Sequence, residues 1–358
     1  MSEDLNTPDM QGDPQLPEVV SFLNQYLQSS EFQDRMQELH PDQRQGALGL
    51  VFDYKIATAD SADFDAFWDH VRRNSEKDLD GFARLISGSI ARGLDIDLDD
   101  PASHELIFQK FMENYVDNGY FYHSFNGCFR HAIEEEGISA ESRAWDTEEI
   151  KKLGKIGDGI GFGLLTGWHD INSEGTTFYA SSSRNIHRYA VASPEWFAQF
   201  TSEGMHIPNG PEKTAFYRRD YQQAKQNLIE FCHKVSSRDE ILIAQGREHR
   251  NLTPGEQEYI MAFFEKYWQL LAGPDSKPCV ALIDRKRFAN SDFMQGMTYG
   301  EMAELVGRMG QDPGVVEVIT QVLYGDEMGN DLRTKETVEK SDFSIVELPE
   351  YNSLMGGK

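Results

Sequence analysis

The chain has little cysteine, a shortage of basic side chains and no long apolar run. Its three cysteines, Cys128, Cys232 and Cys279, lack CxxC spacing, which disfavours a disulfide framework or a zinc site. No apolar run approaches the ~18 residues that a membrane span requires. The acidic start Met1-Ser2-Glu3-Asp4 lacks the basic and apolar regions of a signal peptide. We therefore expect a cytoplasmic protein, with signal-independent secretion left open.

Basic side chains are scarce, because 34 lysines and arginines stand against 60 aspartates and glutamates, for a net charge of −26. A field of this sign repels nucleic-acid phosphates and anionic lipid headgroups. The charge therefore disfavours nucleic acid and membrane as partners, and it favours solubility or a basic protein partner.

The common signatures of hydrolytic and metal sites are also missing. The chain contains neither a GxSxG nucleophile elbow nor an HExxH zinc motif, so we expect no metal. The glycine-rich run at residues 157–163 follows no clear strand and lacks the GxGxxG spacing of a dinucleotide loop. We interpret this run as a flap that closes over a bound ligand.

Periodicity and composition predict an α+β fold, with a helical N-terminal half and a mixed, loop-rich second half. Residues 1–17 are predicted to form a disordered acidic arm, since prolines, acids and amides dominate there. We expect a helical domain over residues 18–116, a second domain over 117–350 and a tail over 351–358.

The helical half shows apolar residues at the i, i+3 and i+4 positions, which predicts about five helices before the first strand. One helix should begin at Pro41, because proline suits a first helical turn. Another should begin near Ser61, which precedes acidic first-turn residues. Later helices are predicted over residues 129–136, about 217–235 and 254–271.

Short apolar runs beside turn residues predict strands in the second half. These runs cover residues 119–124, 176–180, 279–283, 315–319 and 343–348.

The most informative strand is the aromatic run Tyr120-Phe121-Tyr122-His123-Ser124-Phe125-Asn126-Gly127. An imidazole at a strand end can donate to a ribose hydroxyl, and aromatic faces can stack on a flat heteroaromatic ring. A second aromatic strand, Thr176-Thr177-Phe178-Tyr179-Ala180, follows later, and Tyr189 comes after it. These features together predict a site that clamps a ring such as nicotinamide.

This pattern resembles the ADP-ribosyltransferases of the diphtheria-toxin and poly(ADP-ribose) polymerase type. That family carries a His–Tyr–Glu triad on successive strands. Its first motif is an apolar strand, then His-Gly-Ser or His-Gly-Thr, then a helix ending in glycine. Tyr122-His123-Ser124 and the predicted helix that ends at Gly137 follow this layout. The family's second motif is an aromatic strand with a tyrosine eleven residues later, as Tyr189 lies after Phe178.

The resemblance implies NAD as substrate, cleavage of the nicotinamide–ribose bond, and transfer of ADP-ribose to an acceptor such as a protein. His123, with Ser124 and Asn126 beside it, would hold the ribose side of NAD. Ser124 stands where the family has a glycine.

Aromatic side chains of the second motif would contact the nicotinamide. Tyr189 would stack on the ring. Phe178 stands at the place of the family's first tyrosine, unless Tyr179 serves instead.

The family's third motif is a glutamate that begins a late strand, which here would be residues 343–348. This points to Asp342, with Glu339 and Glu347 as rivals. A carboxylate there would stabilise a cationic glycosyl transition state. A competing hypothesis is a non-catalytic α+β scaffold that senses a nucleotide or docks a protein partner.

Overall fold

A computed structural model describes most of the first 138 residues and selected segments after them. The described ranges are residues 16–74, 78–138, 176–179, 221–222, 225–226, 229, 253–272, 277–288, 314–324, 331–334, 337–350 and 353–354. Within these ranges, six α-helices precede the first strand, where about five were predicted. They are α1 (Leu16–Leu27), α2 (Ser30–Glu38), α3 (Pro41–Thr58), α4 (Phe64–Arg73), α5 (Leu79–Leu94) and α6 (His104–Phe111).

Side-chain caps explain where several of these helices begin. The Ser29 hydroxyl accepts from the Phe32 amide at 3.1 Å, and the Asp63 carboxylate accepts from the Ala66 amide at 3.0 Å. Each cap satisfies an amide that has no partner within its own helix. The predicted start at Pro41 is confirmed, whereas the start expected near Ser61 moves to Phe64 because Asp63 provides the cap.

A π-helical segment, Met112–Asp117, connects α6 to the first strand. The second half then contains β1 (Tyr120–Asn126), α7 (Arg130–Glu136), β2 (Thr176–Tyr179), α8 (Pro254–Ala272), β3 (Pro278–Asp284), α9 (Val315–Tyr324), β4 (Asp331–Thr334) and β5 (Phe343–Glu347). The predicted strands near β1, β2, β3 and β5 and the helices near α7 and α8 are confirmed to within a few residues. Of the helix predicted over 217–235, the described residues are helical.

The strand predicted at residues 315–319 is wrong, because these residues begin α9. Buried positions in α9 are Val315, Val318, Ile319, Val322 and Leu323. Their spacing of three, four, seven and eight residues is that of one helix face, and it outweighs the β-branched composition. This face packs against α5 and α6.

The strands form an antiparallel sheet in the order β4-β2-β1-β3-β5. In the register of this sheet, Tyr122 lies opposite Tyr179 of β2, and His123 lies opposite Ala281 of β3. The described part of the protein is thus mostly helical with an antiparallel sheet, as an α+β fold requires.

One hydrophobic core joins the helices to the sheet. Fully buried members come from both halves: Leu23 of α1, Phe52 of α3, Ile86 of α5, Val280 of β3 and Val346 of β5. The core therefore crosses the predicted boundary between residues 116 and 117, and the division into domains stays a prediction. No helix in the described residues is long and apolar enough to span a membrane.

Helix α1 covers the outer edge of β5. The Asn24 side chain accepts from the Glu347 amide at 3.0 Å and donates to the Ile345 carbonyl at 3.3 Å. Gln28 donates to the Glu347 carbonyl at 3.3 Å. The edge strand's backbone groups are thereby paired by side chains of a helix.

A buried polar cluster also connects the helices to the sheet. Asp53 of α3 is fully buried and accepts from the Tyr115 hydroxyl at 2.9 Å and the Tyr122 hydroxyl at 3.4 Å. Burial, and then the charge of Asp53, hold the pKa of Tyr115 well above its usual value. The Tyr115 phenol therefore stays protonated, and the hydroxyls of Tyr115 and Tyr122 both donate to the Asp53 carboxylate.

Candidate functional site

Residues that lie opposite each other in an antiparallel sheet share a face. Phe125 of β1 lies opposite Cys279 of β3, which lies opposite Glu347 of β5. His123 precedes Phe125 by two residues and so shares that face. We call the surface that carries His123, Phe125, Cys279 and Glu347 the His123 face. It brings the predicted ribose-binding histidine and one predicted acid onto the same side of the sheet.

The imidazole of His123 lies against an aromatic ring. Its ring centroid is 6.3 Å from that of Phe125, at an interplanar angle of 20°. Phe125 is buried, whereas His123 is half-buried. His123 thus packs against one aromatic ring of its own strand, and its role in binding a ligand stays a prediction.

Glu347 ends β5 between two cations. Its carboxylate contacts the Arg130 guanidinium of α7, and the Lys277 ammonium lies 4.0 Å from its other oxygen. The Glu347 side chain is 38% exposed, so the pair lies at the rim of the face. This carboxylate lies on the same face as His123, and a ligand on that face would meet it already ion-paired.

Arg130 connects this rim to α7. Its Nε donates to Glu134 at 2.7 Å, and this hydrogen bond is the largest cause of the raised pKa of Arg130. Neither Arg130 nor Lys277 belongs to a sequence motif that predicted a site residue. The available signal was the spacing of Arg130 and Glu134, four residues apart on one helix.

Cys279 lies between Phe125 and Glu347 on the same face. Its thiol is buried and donates weakly to the Lys277 carbonyl at 3.6 Å. Burial, and secondarily Glu347, raise the pKa of the Cys279 thiol to about 12. A thiol with that pKa stays protonated near neutral pH, so it packs in the sheet rather than acting as a nucleophile.

The other two predicted acids lie elsewhere. Asp342 precedes β5 at its opposite end, and its carboxylate accepts from the Arg287 Nε at 2.7 Å. Five strand residues separate it from the far end of β5, a length of about 16 Å. Glu339 is exposed outside the strand. Among the three candidates, Glu347 therefore shares a face with His123.

Ser124 and Asn126 alternate with His123 and Phe125, so their strand positions belong to the opposite face. The Ser124 hydroxyl oxygen is buried, and among the described residues no group hydrogen-bonds to it. Asn126 lies opposite Pro278 at the end of the ladder. The register thus separates these two residues from the histidine with which they were grouped.

The second predicted motif is described in part. Phe178 and Tyr179 belong to β2, which pairs directly with β1. Tyr189 and the glycine-rich run at 157–163 lie outside the described residues. The arrangement of β1 beside β2 is therefore established at the level of the backbone.

A separate small cavity lies among α3, α4 and α5. It is lined by residues that include His70, Asn74 and Asp78, and its volume is about 10 Å³. Such a space holds about one water molecule, so it does not accommodate a nucleotide. In the part of the chain that the structure describes, no group of three or more His, Cys, Asp or Glu side chains is arranged to hold a metal ion.

Comparison with known proteins adds no relative. No family model, no curated protein and no solved structure matches this chain.

Proposed function

We propose that the protein is an NAD-dependent ADP-ribosyltransferase-like enzyme whose substrate binds on the His123 face. The observation that carries this proposal is the sheet register. It sets β1, with His123, between β2, with the second aromatic motif, and the β3–β5 pair that ends in Glu347. An ADP-ribosyltransferase-like core over residues 117–350 is part of the proposal.

In this mechanism the C–N bond between nicotinamide and ribose breaks, and its electron pair leaves with nicotinamide. The ribose then carries an oxocarbenium-like positive charge until the acceptor's nucleophile attacks. His123 would donate to the ribose hydroxyls, and Tyr189 would stack on nicotinamide. Glu347 is the carboxylate that we assign to the cation, because it shares the face of His123.

A second candidate function is favoured by the ion pairs of Glu347. Arg130 and Lys277 already neutralise this carboxylate, which weakens the field it can apply to a cation. A non-catalytic scaffold that senses a nucleotide or binds a protein would tolerate such pairing. The two candidates differ in whether bound NAD is cleaved.

The test is nicotinamide release from NAD by the purified chain, with NAD binding measured by calorimetry in parallel. We expect His123→Ala to lose both release and tight binding. His131→Ala is the matched control, because that exposed histidine lies on α7 and pairs with Glu135.

Three results are informative. Release that is lost in His123→Ala and kept in His131→Ala supports the transferase. Binding without release, even with a protein mixture as acceptor, supports the nucleotide-sensing scaffold. Absence of both binding and release overturns the use of NAD.

A further inference from the structure

Arg44 of α3 is a buried cation whose hydrogen bonds go to backbone carbonyls. The residue is 8% exposed. Its Nε donates to the Leu39 carbonyl at 3.2 Å, and Nη2 donates to the Gln37 carbonyl at 3.2 Å. Nη1 donates to the Leu354 carbonyl at 3.1 Å. Removing a guanidinium from water is costly, so these charge-assisted bonds are needed to offset that cost.

The third of these bonds reaches across the chain to the C-terminal segment, and Gln37 strengthens the same contact. Its side-chain amide donates to the Ser353 carbonyl at 2.7 Å and to the Leu354 carbonyl at 3.2 Å. The Leu354 side chain is fully buried in the common core. One leucine and two carbonyls thus attach the segment to α2 and α3.

The attached segment is the direct continuation of β5. Leu348 extends the sheet ladder, because its amide donates to the Pro278 carbonyl at 2.8 Å. The Leu354 amide then donates to the Glu350 carbonyl at 3.3 Å, which turns the chain toward Arg44. We call residues 348–350 and 353–354 the C-terminal strap.

We infer that Arg44 is a positioning residue, which holds the C-terminal end of β5 in place through the C-terminal strap. Glu347 is the last residue of β5, and Cys279 lies opposite it under the same end. Releasing the strap removes the anchor that follows Glu347, so this end of β5 opens more often. The inference does not depend on NAD, since it concerns the position of β5 in the free chain.

Cys279 provides a reporter at the place where opening is expected. The thiol is buried in the closed state, and alkylation requires that it reach solvent as a thiolate. Full-length protein is treated with iodoacetamide under native conditions. Mass spectrometry of peptides then separates labelled Cys279 from Cys128 and Cys232.

The variants are Arg44→Met, Leu354→Ser and their combination. We expect each single change to speed Cys279 labelling about tenfold, and the combination to be little faster than either, because both release one strap. Independent effects would instead multiply to about a hundredfold. Arg44→Lys should fall between wild type and Arg44→Met, because one ammonium cannot reproduce the guanidinium fork. Arg73→Met, which removes an exposed guanidinium paired with Asp69, should leave labelling unchanged.

Hydrogen exchange of α5 separates local opening from global unfolding. Protection of α5 should match wild type in Leu354→Ser, because the core helices keep their packing. If Arg44→Met loses α5 protection, its faster labelling reflects global unfolding. Cys279 labelling in Leu354→Ser then tests whether release of the strap opens β5. Wild-type labelling of Cys279 in a folded strap variant overturns the inference, as does a multiplicative effect in the double variant.

Discussion

The two ends of β5 offer a direct comparison, because each carries an acid paired with an arginine. Asp342 pairs with Arg287 before the strand, and Glu347 pairs with Arg130 at its end. The pairing chemistry is the same, yet the surroundings differ. A buried arginine closes the first end, whereas a half-buried histidine and a rim of exposed charges lie on the face of the second. A candidate site acid is therefore distinguished by the face on which it lies and by its exposure to solvent, rather than by its pairing with an arginine.

The closed end is built around Arg285, which is 1% exposed. Its Nε donates to the Tyr120 carbonyl at 3.0 Å. Its guanidinium carbon lies 5.0 Å from the Tyr115 ring centroid and 5.2 Å from that of Phe121. These contacts anchor the segment after β3 to the π-helical segment and to β1.

The substitution with the greatest predicted loss of stability removes the buried guanidinium at this end. Arg285→Met should lower the free energy of unfolding by about 3 kcal/mol, because a buried carbonyl loses its donor and two rings lose a desolvated cation. Urea denaturation of the full chain measures the change. A loss below about 1 kcal/mol would contradict this prediction, because it would mean that Arg285 contributes no more to stability than an exposed cation does.

The next effect compares the two acids in the proposed reaction. Glu347→Gln should lower the rate of nicotinamide release about 100-fold, because it removes the charge that stabilises the ribosyl cation. Asp342→Asn should leave the rate within about threefold, since Asp342 lies at the other end of the strand. Initial rates at saturating NAD measure both. The reverse ranking would return the assignment to Asp342.

The stability of the protein should depend on pH through Cys279, which lies at the Glu347 end of β5. The Cys279 thiol has a pKa of about 12 in the folded chain, and an unfolded thiol has a pKa of about 8.5. The folded chain therefore keeps a proton that the unfolded chain loses, so this contribution to stability is present below about pH 8.5 and lost as pH rises toward 12. Between these values stability should fall by up to about 1.4 kcal/mol per pH unit.

The measurement compares urea unfolding of wild type and Cys279→Ala at several alkaline pH values. The slope, rather than the absolute stability, is informative, because alanine also removes packing. Tyr26, whose pKa burial raises to about 12, contributes to both slopes and cancels in their difference. Parallel slopes would contradict burial of the Cys279 thiol.

The smallest loss of stability is expected when Arg130 or Arg287, the arginines that pair with Glu347 and Asp342, is replaced. Arg130→Gln and Arg287→Gln should each change the free energy of unfolding by less than about 1 kcal/mol, because both pairs are partly exposed and screened by water. Denaturation at low and high salt measures them. A larger loss for Arg130 would mean that its pair with Glu347 fixes α7 on the sheet.

Local patterns were sufficient to predict much of the fold. The aromatic alternation of β1 and the glycine after α7 are signals that a few neighbouring residues determine. Gly137 has a φ of 81°, a conformation that favours glycine. The strand predicted at 315–319 was wrong because an apolar segment of five residues fits a strand as well as a helix. The helical period of α9 becomes visible only over a longer window.

The candidate site was less predictable, because its members meet through strand register. The resemblance suggested Asp342 as the third-motif acid, because it precedes the late strand, but the face on which an acid lies depends on the pairing of β1, β3 and β5. A shift of one residue in that register would exchange the faces of Asp342 and Glu347. The burial of Arg44 could not be predicted from the sequence either, because one carbonyl that pairs with its guanidinium lies 310 residues away along the chain.

The bonds from Asn24 to β5 have a consequence for how copies of this chain meet at high concentration. An unpaired edge strand is a template on which another chain can add a strand and begin to aggregate. The Asn24 carboxamide makes the two hydrogen bonds, to the Glu347 amide and the Ile345 carbonyl, that an added strand would make. These backbone groups are then not available to a second chain. Together with Gln28, which donates to the Glu347 carbonyl, Asn24 thus protects the sheet from self-association along this edge.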